Sequence, residues 1–181
     1  MTKIKDYFIK FKNEFKLKCF LLEALLVIVV IAFDLISKHY AFMNLPTFTD
    51  NTAEFIPGFM NFVLVKNYGA SFGIFSGKTN LLIAFTIISI ILLMFIWIFG
   101  MRSSTPVIKI SILFILAGGI GNLVDRIAFG YVRDFMHFTF FDFPVFNVAD
   151  SFVVIGTFMM IIYLIVSLIQ SFIKKDNDEE I

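Results

Sequence analysis

Two stretches of the chain run without a charge for long enough to cross a lipid bilayer, Leu81–Met101 and Ser151–Ile173. A hydrocarbon core about 30 Å thick needs roughly 20 apolar residues of helix. Two further stretches follow the same helical pattern but are interrupted. Ala24–Phe33 is apolar and the pattern continues through Asp34 and Lys38 to about Met43; Ile110–Val124 is apolar and continues through Asp125 and Arg126 to about Phe129. Neither apolar run spans alone, and each does once its polar outer turn is included. The pattern therefore predicts four spans, about 20–43, 80–101, 110–129 and 147–173, in one integral-membrane unit covering 1–181.

Two segments join the spans on one side, 44–79 and 130–146. The first is too long for a tight turn and holds Pro46, Pro57 and the run Gly69-Ala70-Ser71-Phe72-Gly73. Within it Phe59–Lys66 is β-branched and aromatic, which predicts a strand and a small sheet at the membrane surface. The second is crowded with Phe135, Phe138, Phe140, Phe141, Phe143 and Phe146, as an aromatic belt at the interface would be. The expected fold class is an all-α membrane protein, a four-transmembrane-helix bundle with a small extracytoplasmic β-sheet and an external loop.

Composition agrees. Of 181 residues 59% are hydrophobic and 16% charged, against about 45–50% and about 25% in ordinary globular domains. The single cysteine, Cys19, excludes a disulfide framework and a cysteine-based metal site. A net charge of +1 gives no basis for nucleic-acid binding. The Lys-rich start and first apolar run could suggest a cleaved leader, but Asp34-Leu35-Ile36-Ser37-Lys38 follows where a small-residue cleavage site would stand, so an uncleaved helix is expected.

Lys and Arg set the orientation. Lys3, Lys5, Lys10, Lys12, Lys16 and Lys18 precede the first span, Arg102 and Lys109 lie between spans two and three, and Lys174 and Lys175 follow the fourth. The other side has only Lys66, Lys78 and Arg133. Both termini are expected in the cytoplasm, with 44–79 and 130–146 outside.

An ionisable group inside a span is costly and needs a reason. Here Asp34 and Lys38, Asn122, Asp125 and Arg126, and Asn147 and Asp150 all fall in the outer turns of their spans, and Asp134 follows just outside span three. Asp34 and Lys38 are four apart and can pair. Gly118 and Gly121 flank the polar face of span three and permit close helix approach. Asn147, Asp150 and Ser151 share one helical face. Each residue alone has a plainer reading. Asp34–Lys38 suits a structural ion pair; Arg126 suits an anchor through a carboxylate, backbone carbonyls or a lipid phosphate, with Asp125 as its local counter-charge. Asp150 suits a favourable charge at a helix N-terminus. His39 and His137 lack metal-ligand spacing, and Glu23 at the cytoplasmic edge can reach water. Their convergence at one depth predicts a site in the mouth of the bundle.

No serine–histidine set, cysteine or zinc-protease spacing stands at that height, so no metal or other cofactor is expected. What remains is paired carboxylates. Two close aspartates in a low-dielectric pocket do not both ionise easily, so one can hold a proton while the other takes one from water. Asp134 and Asp150 are the best-placed pair, one ending the path out of span three and the other opening span four.

At these residues the chain resembles the bacterial lipoprotein signal peptidases, or signal peptidase II. Asp34-Leu-Ile-Ser-Lys38 matches the polar motif of that family's first helix, and Asn67-Tyr-Gly69-Ala-Ser-Phe-Gly73 its N-x-G-x-S-F-G motif. Gly121-Asn122-Leu-Val-Asp125-Arg126 matches G-N-x-x-D-R, Val132-Arg-Asp134-Phe135 matches V-x-D-F, and Phe146-Asn147-Val-Ala149-Asp150-Ser151 matches F-N-x-A-D-S. No piece is specific alone; five in order on four spans are. The resemblance implies an aspartic endopeptidase of the bacterial cytoplasmic membrane. It would remove signal peptides from diacylglyceryl-modified prolipoproteins before the lipidated cysteine, at the outer face, and would be blocked by globomycin. It implies a dyad of Asp134 and Asp150, supported by Asp34, Lys38, Asn67, Gly69, Asn122, Asp125, Arg126, Asn147 and Ala149. Asn67 and Asn147 could hold either the substrate backbone or the dyad. Expected partners are prolipoproteins, membrane lipids and globomycin-type inhibitors, with a monomeric enzyme.

Two rival classes are a small proton-coupled transporter or channel and a non-catalytic assembly protein. Against the first, the polar groups stop at one depth and no inverted repeat is visible. The orientation has a direct check: a reporter active only outside the membrane should be silent when fused after Ile181 and active within 44–79, and the reverse pattern would move the site to the other face.

Overall fold

The computed structural model describes residues 2–45, 52–69, 75, 77–100 and 105–179. Most of the Gly-rich run, Ala70 to Gly73, lies outside the described residues. Four long helices carry the chain: α1 (Thr2–Asn44), α2 (Thr79–Phe95), α3 (Pro106–Phe129) and α4 (Val148–Glu179). The portions long and apolar enough to span are Lys16–Asn44, Thr79–Gly100, Pro106–Phe129 and Val148–Lys175. The second includes one π turn, Ile96–Gly100, that extends α2.

α3 starts on Pro106, whose missing N–H costs nothing at a first helical position. It stops at Gly130, which at φ 80° turns left-handed and donates its N–H to the Arg126 carbonyl at 3.0 Å. That turn delivers the chain directly into a strand. The sheet has three antiparallel strands, β1 (Thr52–Ile56), β2 (Met60–Asn67) and β3 (Val132–Phe138), with β2 in the middle. β2 is the strand that the sequence pattern suggests. β3 comes from the segment whose rings predict an aromatic belt, and there Phe59, Phe138, Phe140, Phe141, Phe143 and Phe146 pack ring on ring. Strand pairing overrides the ring content because β3 completes the free edge of β2.

α3 is the central helix and packs against α1, α2 and α4. One apolar cluster, Val27, Val30, Leu113, Leu116 and Ala117, joins α1 to α3. A second, Ala41, Leu45, Phe135 and Val148, joins the outer end of α1 to the sheet and α4. Elsewhere the helices present large apolar side chains outward, such as Phe85, Ile88, Phe158 and Ile162, as surfaces facing lipid must. At the other end of the bundle Glu23 is not simply reaching for water. It accepts the Trp97 indole N–H at 2.8 Å and pairs with Lys109 at 3.5 Å, while Phe20 stacks on Trp97. A half-buried carboxylate beside an indole and an ammonium is better satisfied by them than by snorkelling.

Lipid tails are as apolar as leucine, so helices in a bilayer associate by fit rather than by escape from water. Here fit depends on glycine. A Cβ on Gly118 would strike the carbonyl oxygen of Ala149, and one on Gly121 would stand 2.5 Å from Asp34 Oδ2 and 3.3 Å from Ala149 Cβ. On α4 a Cβ at Gly156 would stand 2.6 Å from the Ser111 carbonyl oxygen. These absences let the polar corners of α1, α3 and α4 meet. Gly118→Ala should therefore destabilise the purified protein by about 1–3 kcal/mol through overpacking. Gly119→Ala, whose Cβ would meet Ile90 at an ordinary 3.8 Å, should be neutral or stabilising by up to about 1 kcal/mol. Unfolding in detergent micelles would check the contrast.

Candidate active site

The first corner is on α1. Lys38 and Asp34 are both fully buried and paired at 2.8 Å, one helical turn apart. The ammonium also donates to Asn122 Oδ1 at 2.9 Å and lies 3.5 Å from Asp125 Oδ2, both on α3. The second oxygen of Asp34 accepts the backbone N–H of Ala149 at 2.8 Å. That amide is one of the unpaired donors at the start of α4, so a carboxylate from α1 caps another helix.

The start of α4 is closed a second time from within. Asn147 Oδ1 accepts the Asp150 N–H at 2.9 Å and Asp150 Oδ2 accepts the Asn147 N–H at 3.2 Å. This is a reciprocal capping box with Asn and Asp in the two roles. Asp150 keeps its other oxygen for Asn122 Nδ2, 2.7 Å away.

The third corner is on β3. Met136 and Phe146 exchange backbone hydrogen bonds at 2.8 and 2.9 Å, which folds the residues before α4 against the strand. That bridge sets Asn147 beside Asp134. Asn147 Nδ2 donates to Asp134 Oδ1 at 2.6 Å, and Asn67 Nδ2, from the end of β2, donates to Oδ2 at 2.9 Å. Asn67 Oδ1 is held by the Gly69 N–H at 2.9 Å, and the Gly69 carbonyl takes a 3.0 Å bond from Arg126.

Asp134, Asp150, Asn67, Gly69, Asn122 and Arg126 line one cavity of about 900 Å³. Its opposite wall is apolar: Phe138, Phe143, Phe146, Val154 and Ile155. Asp34, Lys38, Asp125, Asn147 and Ala149 stand behind the polar wall. The cavity thus joins two carboxylates, one guanidinium and several amides to a greasy face that continues onto the outside of α4.

The comparisons with known proteins bear on this geometry. The model of the signal peptidase (SPase) II family matches residues 26–166. The lipoprotein signal peptidase of Clostridium tetani is 38% identical over 147 residues, covering 80% of this chain and 92% of that one. The lipoprotein signal peptidase of Enterococcus faecalis is 37% identical over 146 residues, covering 81% and 86%. A solved structure described as a bacterial membrane enzyme, determined by the in meso method at 2.3 Å, superposes with a TM-score of 0.74 at 33% identity, covering 81% of this chain and 88% of that one. The chain belongs to the signal peptidase II family.

This membrane peptidase brings together every residue that its sequence nominated, with one exchange of partners. Asp125 is not the counter-charge of Arg126. It is gripped by Arg133, through NH2 at 2.7 Å and Nε at 3.2 Å, and accepts the Arg133 backbone N–H at 2.9 Å. Residues adjacent in a helix point about 100° apart, so Arg126 faces the cavity while Asp125 faces inward. By sequence Arg133 is only a charge in an external loop. The signal in the sequence is its place, one residue before Asp134 and the lone Lys or Arg within 130–146.

Asp134 is buried, and burial pushes its carboxyl from an ordinary 3.8 up to about 7, with the nearby Asp150 carboxylate adding to the rise. The Asn67 and Asn147 amides and the charge of Lys38 pull the other way and do not cancel it. The folded state therefore retains a proton that the unfolded chain gives up above about pH 4. Stability conferred by Asp134 should fall as pH rises from about 4 to about 7 and then level off. Comparison of parent with Asp134→Asn isolates this: the stability difference, parent minus variant, should decline across that window in micelle unfolding experiments. A flat or rising difference would show that Asp134 ionises as an ordinary carboxyl.

Proposed function

We propose that this peptidase is an intramembrane aspartic endopeptidase that removes the signal peptide from diacylglyceryl-modified prolipoproteins, cutting before the lipidated cysteine. Asp134 and Asp150 form the dyad. The observation that carries the reading is that these two carboxylates, bridged by Asn147, line the same cavity as a long apolar wall. The named substrate of the curated relatives, a lipoprotein precursor, has the matching chemistry: a peptide to cut and two acyl chains to shelter.

In this mechanism the dyad holds one proton. Asp150 receives the backbone N–H of Asn147 and stands in the first turn of α4, where the helix dipole favours negative charge. Asp134, on a strand, has side-chain amides only and keeps the proton near neutral pH. Asp150 then takes a proton from a water placed between them while Asp134 gives its own to the scissile carbonyl oxygen. Asp150 returns its proton to the leaving amine as the tetrahedral intermediate collapses, and Asp134 recovers its own from the gem-diol hydroxyl. Arg126, Asn122, Asn67 and Gly69 face the substrate; Asp34, Lys38, Asp125, Asn147 and Ala149 hold the dyad in place. The chemistry needs no metal. The Lys and Arg bias supports a site at the outer face of the bacterial cytoplasmic membrane, with both termini inside and the acyl chains along Val154 and Ile155. A monomer is complete for this purpose, because one chain supplies the whole site.

The test is incubation of the purified protein with a lipid-modified prolipoprotein, in EDTA, with and without globomycin. The parent should cleave and globomycin should stop it. Asp134→Asn and Asp150→Asn, nearly isosteric, should each lose about 10²–10⁴-fold in rate. Cleavage at the parental rate by either folded variant would remove that residue from the dyad, and loss of parental cleavage in EDTA restored by zinc would replace the aspartic mechanism altogether. Proton flux in proteoliposomes without cleavage would favour the transporter reading instead.

A further inference from the structure

The buried charges do not end at the cavity wall. Behind it Asp34, Lys38, Asp125 and Arg133 form a closed quartet of two anions and two cations, all but excluded from solvent. Lys38 touches both carboxylates. Arg133 touches only Asp125, with its fork on both oxygens and its guanidinium carbon 4.5 Å from the centre of the Phe129 ring. Alternation along β3 turns the Asp134 side chain to the opposite face from Arg133. The two neighbours therefore serve different sides of one strand, and the backbone N–H of Arg133 is itself bound to Asp125 Oδ2. The strand residue next to Asp134 is thus tied to α3 by main chain and side chain together.

We propose that Arg133 is a positioning residue for the cleavage reaction. Its grip on Asp125 fixes the strand that presents Asp134 and keeps the charge behind the dyad balanced. The proposal rests on the reading that Asp134 belongs to the dyad. Arg133 does not line the cavity and touches no substrate.

Charged and titratable groups stand around Asp134 on every element packed against it. From α1 come Asp34 and Lys38, from β2 Lys66, from α3 Asp125 and Arg126, from its own strand Arg133 and His137, and from α4 Asp150. With one proton on the dyad, Asp34, Lys38, Asp125, Arg126, Arg133, Asp134 and Asp150 sum to zero when His137 is neutral and the surface Lys66 is left aside. Removal of the Arg133 charge leaves the quartet one anion in excess. Lys38, the remaining cation, is then drawn toward Asp125 and away from Asn122, the amide that binds Asp150. A protein with this defect holds the dyad proton more tightly and holds Asp150 less firmly. Lysine cannot reproduce the fork or the stack on Phe129, although it keeps the charge.

The test is the pH profile of cleavage by purified, folded protein. Arg133→Gln should lower kcat about 10–100-fold, leave KM within about twofold, and move the alkaline limb upward by about one pH unit. Arg133→Lys should leave the limb in place and lose a few-fold in kcat. The double variant Asp125→Asn/Arg133→Gln, neutral again, should return the limb to the parental position. An Arg133→Gln protein with parental kcat and an unmoved limb overturns the proposal, and so does a double variant whose limb stays shifted. If Arg133→Gln does not fold, the Lys variant and the double variant decide alone: a limb displaced in either overturns the charge role, and parental kcat in the Lys variant overturns the geometric one. Asp134→Asn is run beside them. If it cleaves at the parental rate, the dyad assignment has failed; if it is inactive while Arg133→Gln behaves as parent, only the present inference has.

Discussion

A lysine ammonium sealed inside a membrane bundle has to be neutralised and saturated with acceptors, and the outer half of this protein is arranged around that requirement. Lys38 has no contact with solvent. Its ammonium donates to Asp34 one turn below on the same helix and to the Asn122 carbonyl oxygen, and lies 3.5 Å from the Asp125 carboxylate. Removing one partner of such a set leaves a charge uncompensated, at a cost of about 3–5 kcal/mol. Lys38 therefore does more than join α1 to α3. It sets the rotamer of Asn122, and Asn122 in turn orients Asp150. Asp34, held by the same cation, has an oxygen left to cap α4 through Ala149. Three helices are registered at one depth by one charge.

From that point outward the connections run through amides rather than ions. Asn67, Asn122 and Asn147 each spend the carbonyl oxygen on a donor and the NH₂ on a carboxylate: Asp134 takes two of these bonds and Asp150 one. An amide side chain offers donors without bringing a charge. A lysine or arginine in the same place would bind the carboxylates as firmly, but it would hold them ionised and strip the pair of its proton. Asparagine gives orientation and leaves the proton affinity high. The approach distances this needs are supplied by Gly118 and Gly121, whose missing side chains let Ala149 and Asp34 come against α3.

The parts of this arrangement that could be read in the sequence are those governed by the bilayer. Apolar length gives four spans, and any polar residue within them stands out because it is expensive. Asp34, Lys38, Asn122, Asp125, Arg126, Asn147 and Asp150 stand out in this way, and their common depth follows from the number of helical turns. What escaped depends on contacts distant in sequence. β3 exists because β2 has an edge to fill, and nothing local in a run of phenylalanines says so. Arg133 pairs with Asp125 across the Gly130 turn, whereas sequence adjacency suggested Arg126. Glu23 meets Trp97 and Lys109 only after α1, α2 and α3 are packed. A residue placed outside the spans was judged by its loop, although the loop folds back and buries it.

The two carboxylates differ because of the elements that carry them, and in the proposed mechanism this difference decides which of them holds the shared proton. Two aspartates in equivalent settings would hold the proton between them without preference. Asp150 belongs to the first turn of a helix. One of its oxygens accepts a backbone N–H at the positive end of a helix dipole, both of which favour the anion, and the other accepts from the Asn122 amide. Asp134 belongs to a buried strand that supplies no such field, and its two hydrogen bonds come from side chains. The asymmetry could not have been built from two helices packed side by side with both aspartates at mid-helix, where neither would meet free backbone donors. Here it comes from a strand set against a helix start, the junction that the Met136–Phe146 bridge creates. In the proposed mechanism the small sheet is part of the acid–base machinery, and its contribution is to bring one carboxyl to the dyad without a helix dipole behind it.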